Sequence, residues 1–298
     1  MSPQAVSALS ILLVATLGVA ACADEPEEPT RSLPQPLSCI ASTFPMKTLE
    51  MPEASGAAWV SSAVGDGWLV VADHGNDGRA VLLGADGALA GEFELPLGEG
   101  AGDDLEGLAW STSDRLVGLT SSGYIRQWSL DTTTPQLVQL AQPISADPAW
   151  ICDPQENNCG PNWEGLCLDP VPEVGGCAGF VVSKTLGELV CLRSSGVSYT
   201  LDPTARIEVT KAGRLSGCDY ETQPPYRLIV AGNDDSQNKL WEITEPRDLE
   251  AADSEKLEIE GTLNQEAIAF GPNGVLLSFG DEETITGAGS AIVSFYCP

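Results

Sequence analysis

The sequence predicts an all-β fold: a five-bladed β-propeller closed by its own N-terminal strand. Three observations lead there. One short segment recurs five times, short β-rich runs joined by turn residues fill the intervals, and the lengths left at the two ends together make one more repeat. Repeats of this length without a helical pattern suit a blade of four antiparallel strands.

The recurring segments are 53–59, 104–110, 162–168, 214–220 and 264–270, of which Asp104-Leu105-Glu106-Gly107-Leu108-Ala109-Trp110 is the clearest copy. Their third positions are Ser55, Glu106, Glu164, Ser216 and Glu266, at spacings of 51, 58, 52 and 50. Each interval reads as hairpins. In the first, Trp68-Leu69-Val70-Val71 is followed by Ala80-Val81-Leu82-Leu83, the turn Ala85-Asp86-Gly87 and Glu92-Phe93-Glu94-Leu95. In the second, Leu116-Val117-Gly118-Leu119 leads through Ser121-Ser122-Gly123 to Tyr124-Ile125-Arg126-Gln127-Trp128. Asp-Gly and Ser-Gly between β-rich runs are hairpin signals. Residues 141–163 lengthen the second repeat and are expected to form an insertion loop.

The 32 residues after Glu266 suffice for three strands, and the 16 from Cys39 to Ser55 supply a fourth. The N-terminal strand is therefore expected to complete the last blade, which removes the open edges of the sheet. A six-bladed ring is the alternative, and it needs a cryptic repeat for which the length leaves no room. Setting Cys22 aside leaves Cys39, Cys152, Cys159, Cys167, Cys177, Cys191, Cys218 and Cys297. An even set in an exported chain reads as disulfides, and the lack of a Cys-x-x-Cys pair argues against zinc. Cys39 and Cys297 would meet where the ring closes, and Cys152–Cys159 would pinch the insertion. Cys167–Cys177 and Cys191–Cys218 are the remaining expected pairs.

Residues 1–21 carry no charge and contain the apolar run Ile11-Leu12-Leu13-Val14-Ala15-Thr16-Leu17. Such a run is too short to span a bilayer and fits a signal peptide. It ends in Val19-Ala20-Ala21-Cys22, which resembles a bacterial lipobox, so Cys22 is the expected site of lipidation; an ordinary cleaved signal is the alternative. Residues 22–38 are acidic and Pro-rich and read as an extended tether, followed by the propeller domain at 39–298. The expected location is the bacterial cell envelope, in the outer membrane and periplasm or at the cell surface. A lipid anchor would hold the chain to the membrane there.

With 43 Asp and Glu, 14 Lys and Arg and one His, the formal charge is −29. Nucleic acid and anionic membrane surfaces repel such a chain and are excluded as electrostatic partners. One histidine excludes multi-histidine zinc sites and leaves His74 as the lone candidate imidazole for nucleophilic catalysis. Disorder does not follow, since 43% of residues are hydrophobic and seven are Trp. The chain is expected to be a monomer.

Side chains alternate along a strand, so Asp104 with Glu106, Asn162 with Glu164 and Asn264 with Glu266 are expected to project together. If the segments begin the innermost strands, they ring one mouth of the axial channel. Gly56, Gly107, Gly165 and Gly217 would then let backbones approach at the axis. The turns after the second strands offer a second ring: Asp73-His74-Gly75-Asn76-Asp77, Asn233-Asp234-Asp235 and Asp281-Glu282-Glu283. Converging carboxylates repel one another unless a cation joins them, and carboxylate with Asn oxygens suits calcium. The expected ligands are Glu106, Glu164, Glu266, Asp104, Asn162 and Asn264; bonds to backbone amides between blades, or solvation, are the alternative use of these groups. Arg79, Arg126, Lys184 and Arg214 read as surface charges, with phosphate contacts as the alternative. Trp150 and Trp163 read as core, or as platforms for a sugar ring. Ser121, Ser122 and Ser183 have no assignable imidazole partner, His74 reads as a turn residue, and no catalytic residue is assigned.

The stretches Leu69-Val70-Val71-Ala72-Asp73-His74-Gly75-Asn76, Gly84-Ala85-Asp86-Gly87 and Asp103-Asp104-Leu105-Glu106-Gly107-Leu108-Ala109 resemble the SdiA-regulated propeller family and its neighbours, the esterase-like phytases. The resemblance implies a calcium-binding propeller in the envelope. The acid–Gly segments are also similar to gluconolactonase and paraoxonase propellers, whose metal sits in the channel. Two functions follow. The first is a non-catalytic binding module presenting its loops to a protein or glycan partner; the alternative is a calcium-dependent hydrolase of phosphate esters or lactones.

Overall fold

Runs of β-branched and aromatic residues broken by Gly and Asp turns satisfy their backbone groups by antiparallel pairing. The computed structural model describes residues 37–44, 48–98, 102–150, 152–209, 213–233, 238–280 and 289–298. The expected signal segment, Cys22, the tether up to residue 36, Asp234, Asp235 and 281–283 lie outside them.

Two strands come first in the chain and belong to the last blade: β1 (Ile40–Ser42) and β2 (Thr48–Leu49). The first blade is β3 (Ala54–Ser62), β4 (Gly65–Ala72), β5 (Arg79–Gly84) and β6 (Leu89–Glu94). The second is β7 (Leu105–Trp110), β8 (Arg115–Thr120), β9 (Tyr124–Ser129) and β10 (Gln136–Pro143). The third is β11 (Trp163–Leu168), β12 (Gly179–Ser183), β13 (Glu188–Ser195) and β14 (Ser198–Glu208). The fourth is β15 (Leu215–Tyr220), β16 (Leu228–Gly232), β17 (Lys239–Thr244) and β18 (Asp253–Glu260). The fifth continues with β19 (Gln265–Phe270), β20 (Val275–Gly280) and β21 (Ser290–Tyr296). Each of the first four is an antiparallel sheet in chain order, whereas the fifth runs β19, β20, β21, β1, with Ile40 opposite Tyr296. The fold is thus a five-bladed propeller closed by its N-terminal strand. Among the described residues there is no α-helix, only short 3-10 turns at Pro148–Trp150 and Pro272–Gly274.

Middle strands such as Val81-Leu82-Leu83 and Phe180-Val181-Val182 are buried on both faces because each blade is covered by two neighbours. Outermost strands keep a period of two: β10 alternates exposed and half-buried residues along most of its length. The core consequently lies in layers between blades. Trp128 and Val60 share the layer between blades one and two, Trp163 and Val117 that between two and three, and Trp241 and Phe180 that between three and four. Phe295 with Ile229 and Trp68 with Phe279 fill the last two layers.

In every innermost strand the pairing slips at the third position of the repeat, skipping Ser55, Glu106, Glu164, Ser216 and Glu266. These five are bulge residues, and a bulge bends the strand and re-aims its side chain. The glycines that follow meet at the axis. A Cβ on Gly107 would stand 2.6 Å from the Leu166 amide nitrogen, and one on Gly165 would stand 2.9 Å from the Gly217 Cα.

The disulfides Cys39–Cys297 at the seam and Cys152–Cys159 in the insertion are present as expected. The other two correct the expected pairing: Cys167 bonds Cys218, and Cys177 bonds Cys191. The reason is geometric. Cys167 and Cys218 lie on the innermost strands of adjacent blades and share one apolar layer, with Cα atoms 5.5 Å apart. That bond links blade three to blade four, while Cys177–Cys191 stays inside blade three.

Candidate functional site

The bulges on β7, β11 and β19 bring Glu106, Glu164 and Glu266 to one mouth of the channel. With Glu53, Ser55, Asp73, Asn158 and Lys184 they line a recess of about 200 Å³. Asp73 enters from the turn after β4, and Asp104 stands just before β7. Carboxylate oxygens of Asp73, Asp104 and Glu106 all lie within 4.8 Å of one another. The hydroxyl of Ser121 donates to Asp104 Oδ2 and accepts the amide of Asn158 at 3.2 Å, which ties the insertion to the acidic group. Across the recess, Lys184 Nζ donates to Glu164 Oε2 at 2.9 Å and lies 3.9 Å from Glu266 Oε1. Asn233 Nδ2 donates to Glu266 Oε1 at 2.6 Å.

Burial dominates the electrostatics. It pushes the Glu106 carboxyl well above the usual range, and the charges of Glu164, Asp73, Asp104 and Glu266 push it further. Burial also raises Asp104 to about 7, with the Ser121 hydroxyl pulling down and Asp73 pushing up. Glu164 is raised by burial against the opposing pull of Lys184. For Lys184, burial pulls down, but Glu164 and Glu266 outweigh it and the net direction is up. This recess therefore disfavours full ionisation of its carboxyls.

Of the six residues expected as ligands, the structure gathers Asp104, Glu106, Glu164 and Glu266. Asn162 and Asn264 fall elsewhere. Both take left-handed backbone, with φ of 49° and 43°, just before their strands, and the bulge then breaks the alternation that would have aligned them with the glutamates. Asn162 lines a neighbouring recess with Lys184, Thr185 and Arg214 and donates to Asn158 Oδ1 at 3.1 Å; Asn264 is exposed. Asp73 and Asn233, from the expected second ring, join the first ring instead.

Other candidates resolve as follows. Arg126 is fully buried on β9, where it donates to the Gly102 carbonyl, so it is not a surface charge. Arg79 is half-buried and donates to the Glu50 carbonyl at 2.9 Å. Trp163 is fully buried and tilted against Trp150 at 5.6 Å, with the Arg206 guanidinium 5.0 Å from the Trp150 ring. Ser122 is bonded to Thr120, and Ser183 donates to the Pro161 carbonyl. His74 Nδ1 lies 3.0 Å from Asp103 Oδ1, whose partner oxygen accepts the Gly75 amide at 3.0 Å. Sequence reasoning missed this contact because Asp103 and His74 are 29 residues apart and belong to different blades.

Fold and site together define a five-bladed β-propeller with an acidic axial mouth. Comparison with solved structures finds the PQQ-bound aldose sugar dehydrogenase of Streptomyces coelicolor, at 16% identity and a TM-score of 0.52, covering 90% of this chain and 100% of that one. A Thermus thermophilus protein described as an oxidoreductase (glucose dehydrogenase) has 14% identity and a TM-score of 0.46 over 87% of this chain and 99% of its own. A Bacteroides uniformis protein described as a 6-phosphogluconolactonase has 13% identity and a TM-score of 0.41 over 76% and 70%. At these identities the likeness is one of propeller architecture. Neither a scan of protein-family models nor a search of curated proteins returns a match.

Proposed function

We propose that the chain is a calcium-binding propeller of the SdiA-regulated type, lipid-anchored in the cell envelope, whose acidic mouth serves as a binding module for a protein or glycan. One observation carries the metal. Asp73, Asp104 and Glu106 bring oxygens within 4.8 Å of one another, and two oxygens on opposite sides of a calcium ion at about 2.4 Å are separated by about that distance. Lys184 lies against Glu164 and Glu266, so the trio is served by no ammonium or guanidinium contact among the described residues. Bound calcium would supply the charge that lets buried carboxylates stay ionised. The chain's part is to aim Glu106 from its bulge, hold Asp104 through Ser121 and keep Lys184 on the far side. Four disulfides support an oxidising compartment, and the lipobox-like residues 19–22 support the anchor.

The test is calcium titration of the purified chain followed by thermal melting. Binding to the folded state must raise the melting temperature, by about 2.7 kcal/mol of stability at a hundredfold excess over Kd. Glu106→Gln, which keeps the size and removes the charge, should abolish the rise. No shift at millimolar calcium in the native chain rejects the metal.

The second reading, calcium-dependent hydrolysis of phosphate esters or lactones, is favoured by His74, an imidazole held by Asp103 beside the acidic group. Hydrolysis lost in both Glu106→Gln and His74→Gln would select it. Calcium binding without hydrolysis of either ester class selects the binding module.

A further inference from the structure

The repeat that builds the acidic mouth also builds the opposite one. Four residues after each bulge stand Trp59, Trp110, Leu168, Tyr220 and Phe270, one per blade. At about 3.3 Å per residue this is roughly 13 Å further along each innermost strand. All five line a second cavity of about 290 Å³, which shares no residue with the acidic recess. Tyr220 and Phe270 are buried, whereas Trp59 and Trp110 are half-buried, so the two indoles supply most of the accessible ring surface.

One charged group faces this cavity. Asp219 stands at the repeat position that holds Ala58, Ala109, Cys167 and Ala269 in the other blades. Its Oδ1 accepts the Tyr220 amide at 2.9 Å and its Oδ2 the Phe270 amide at 2.7 Å. Among the described residues no Lys, Arg or His lines the cavity or pairs with Asp219. Two neutral amide donors orient a carboxylate without cancelling its charge.

We propose that this mouth binds a small organic cation of the alkylated-ammonium class, between the indoles of Trp59 and Trp110 and the carboxylate of Asp219. Charge complementarity selects that class. An alkylated ammonium presents an apolar surface that carries positive charge, which suits aromatic faces with one counter-charge. A hard metal ion needs more oxygens than one carboxylate offers, and a neutral ligand brings no charge to partner the carboxylate. The volume, at the low end for ligand pockets, restricts the ligand to a small one. A net charge of −29 also raises the local concentration of cations. The inference stands independently of calcium at the other mouth.

The test titrates the purified chain with choline by calorimetry at about pH 8.5, where the Asp219 carboxylate is ionised, against 3,3-dimethylbutan-1-ol, its neutral carbon analogue. Saturable choline binding is expected, with the analogue at least tenfold weaker. Trp110→Leu and Asp219→Asn should each weaken choline about tenfold while both variants still melt cooperatively. If Asp219 only ties β15 to β19, Asp219→Asn lowers the melting temperature and leaves choline binding unchanged, which overturns the proposal. So does equal affinity for the neutral analogue, or no saturation by choline in the folded native chain. Phosphatidylcholine vesicles identify the source: co-sedimentation alongside choline binding assigns a lipid headgroup, and choline binding alone assigns a free cation.

Discussion

Replacing both Cys39 and Cys297 with Ala should cost far more stability than any local disulfide. The bond spans 258 residues, against 7 for Cys152–Cys159. In the chain-entropy treatment, the entropy removed from the unfolded state grows with the logarithm of loop length. That gives about 5.5 kcal/mol for the long loop and roughly 2.4 kcal/mol for the short one. Cys167–Cys218 shortens the long loop by its own separation of 51, which alters the logarithm by only a few tenths of a kcal/mol. Alanine is the replacement because Cys297 is fully buried and a serine hydroxyl there would add a desolvation cost. The assay is thermal melting followed by tryptophan fluorescence. At 2–4 °C per kcal/mol for a domain of this size, the seam variant should melt on the order of 10–20 °C lower and Cys152→Ala/Cys159→Ala about 5–10 °C lower. Equal losses, or a greater loss for the local pair, refute the idea that the long loop governs the stability of the seam.

Four further outcomes follow from the packing and the charges. Gly107→Ala should destabilise by roughly 1–3 kcal/mol in urea unfolding, because its Cβ would meet the Leu166 backbone at 2.6 Å. Gly175→Ala, with nothing within 4 Å but a φ of +77°, should cost about 1 kcal/mol. Lys184→Gln should tighten calcium binding in a calorimetric titration, since it frees Glu164 from its ammonium; weaker binding would place Lys184 in a supporting role for the metal. Burial pushes the Asp219 carboxyl up to about 7, against the downward pull of the Phe270 and Tyr220 amides. The folded state then holds a proton that the unfolded chain releases near pH 4. Asp219 therefore favours folding below about pH 4, and that contribution is lost as pH climbs to about 7. Relative to the native chain, Asp219→Asn should gain stability between about pH 4.5 and 7 in urea unfolding; an unchanged difference would contradict a raised carboxyl.

The architecture was legible because a ring leaves an arithmetic trace. Five copies of one segment mark five innermost strands, and the short lengths before Ser55 and after Glu266 reveal the shared blade. The same copies marked the glutamates. They did not show that each glutamate occupies a bulge, because pairing register is a property of two strands and only one is in view in the segment. Simple alternation therefore puts Asn162 and Asn264 beside the glutamates, and left-handed backbone sends them elsewhere. The Cys167–Cys218 bond is hidden by a preference for partners near in sequence, although both cysteines lie inside aligned copies of the repeat, which marks them as neighbours on adjacent innermost strands. Lys184 gave no signal of its role: nothing in its local sequence says that it meets two glutamates from two other strands.

The seam also determines how the molecule bears load. β1 is three residues long and is the outermost strand of its blade, so its hydrogen bonds alone would peel under tension. Cys39, immediately before it, is covalently joined to Cys297 at the end of β21. Any pull on the residues that precede Cys39 therefore passes through the sulfur bridge into β21, whose register with β20 runs from Val275 opposite Tyr296 to Phe279 opposite Ile292. Tension reaches the ring through a five-pair ladder rather than a three-pair one, and separating β1 from β21 requires a reductant first.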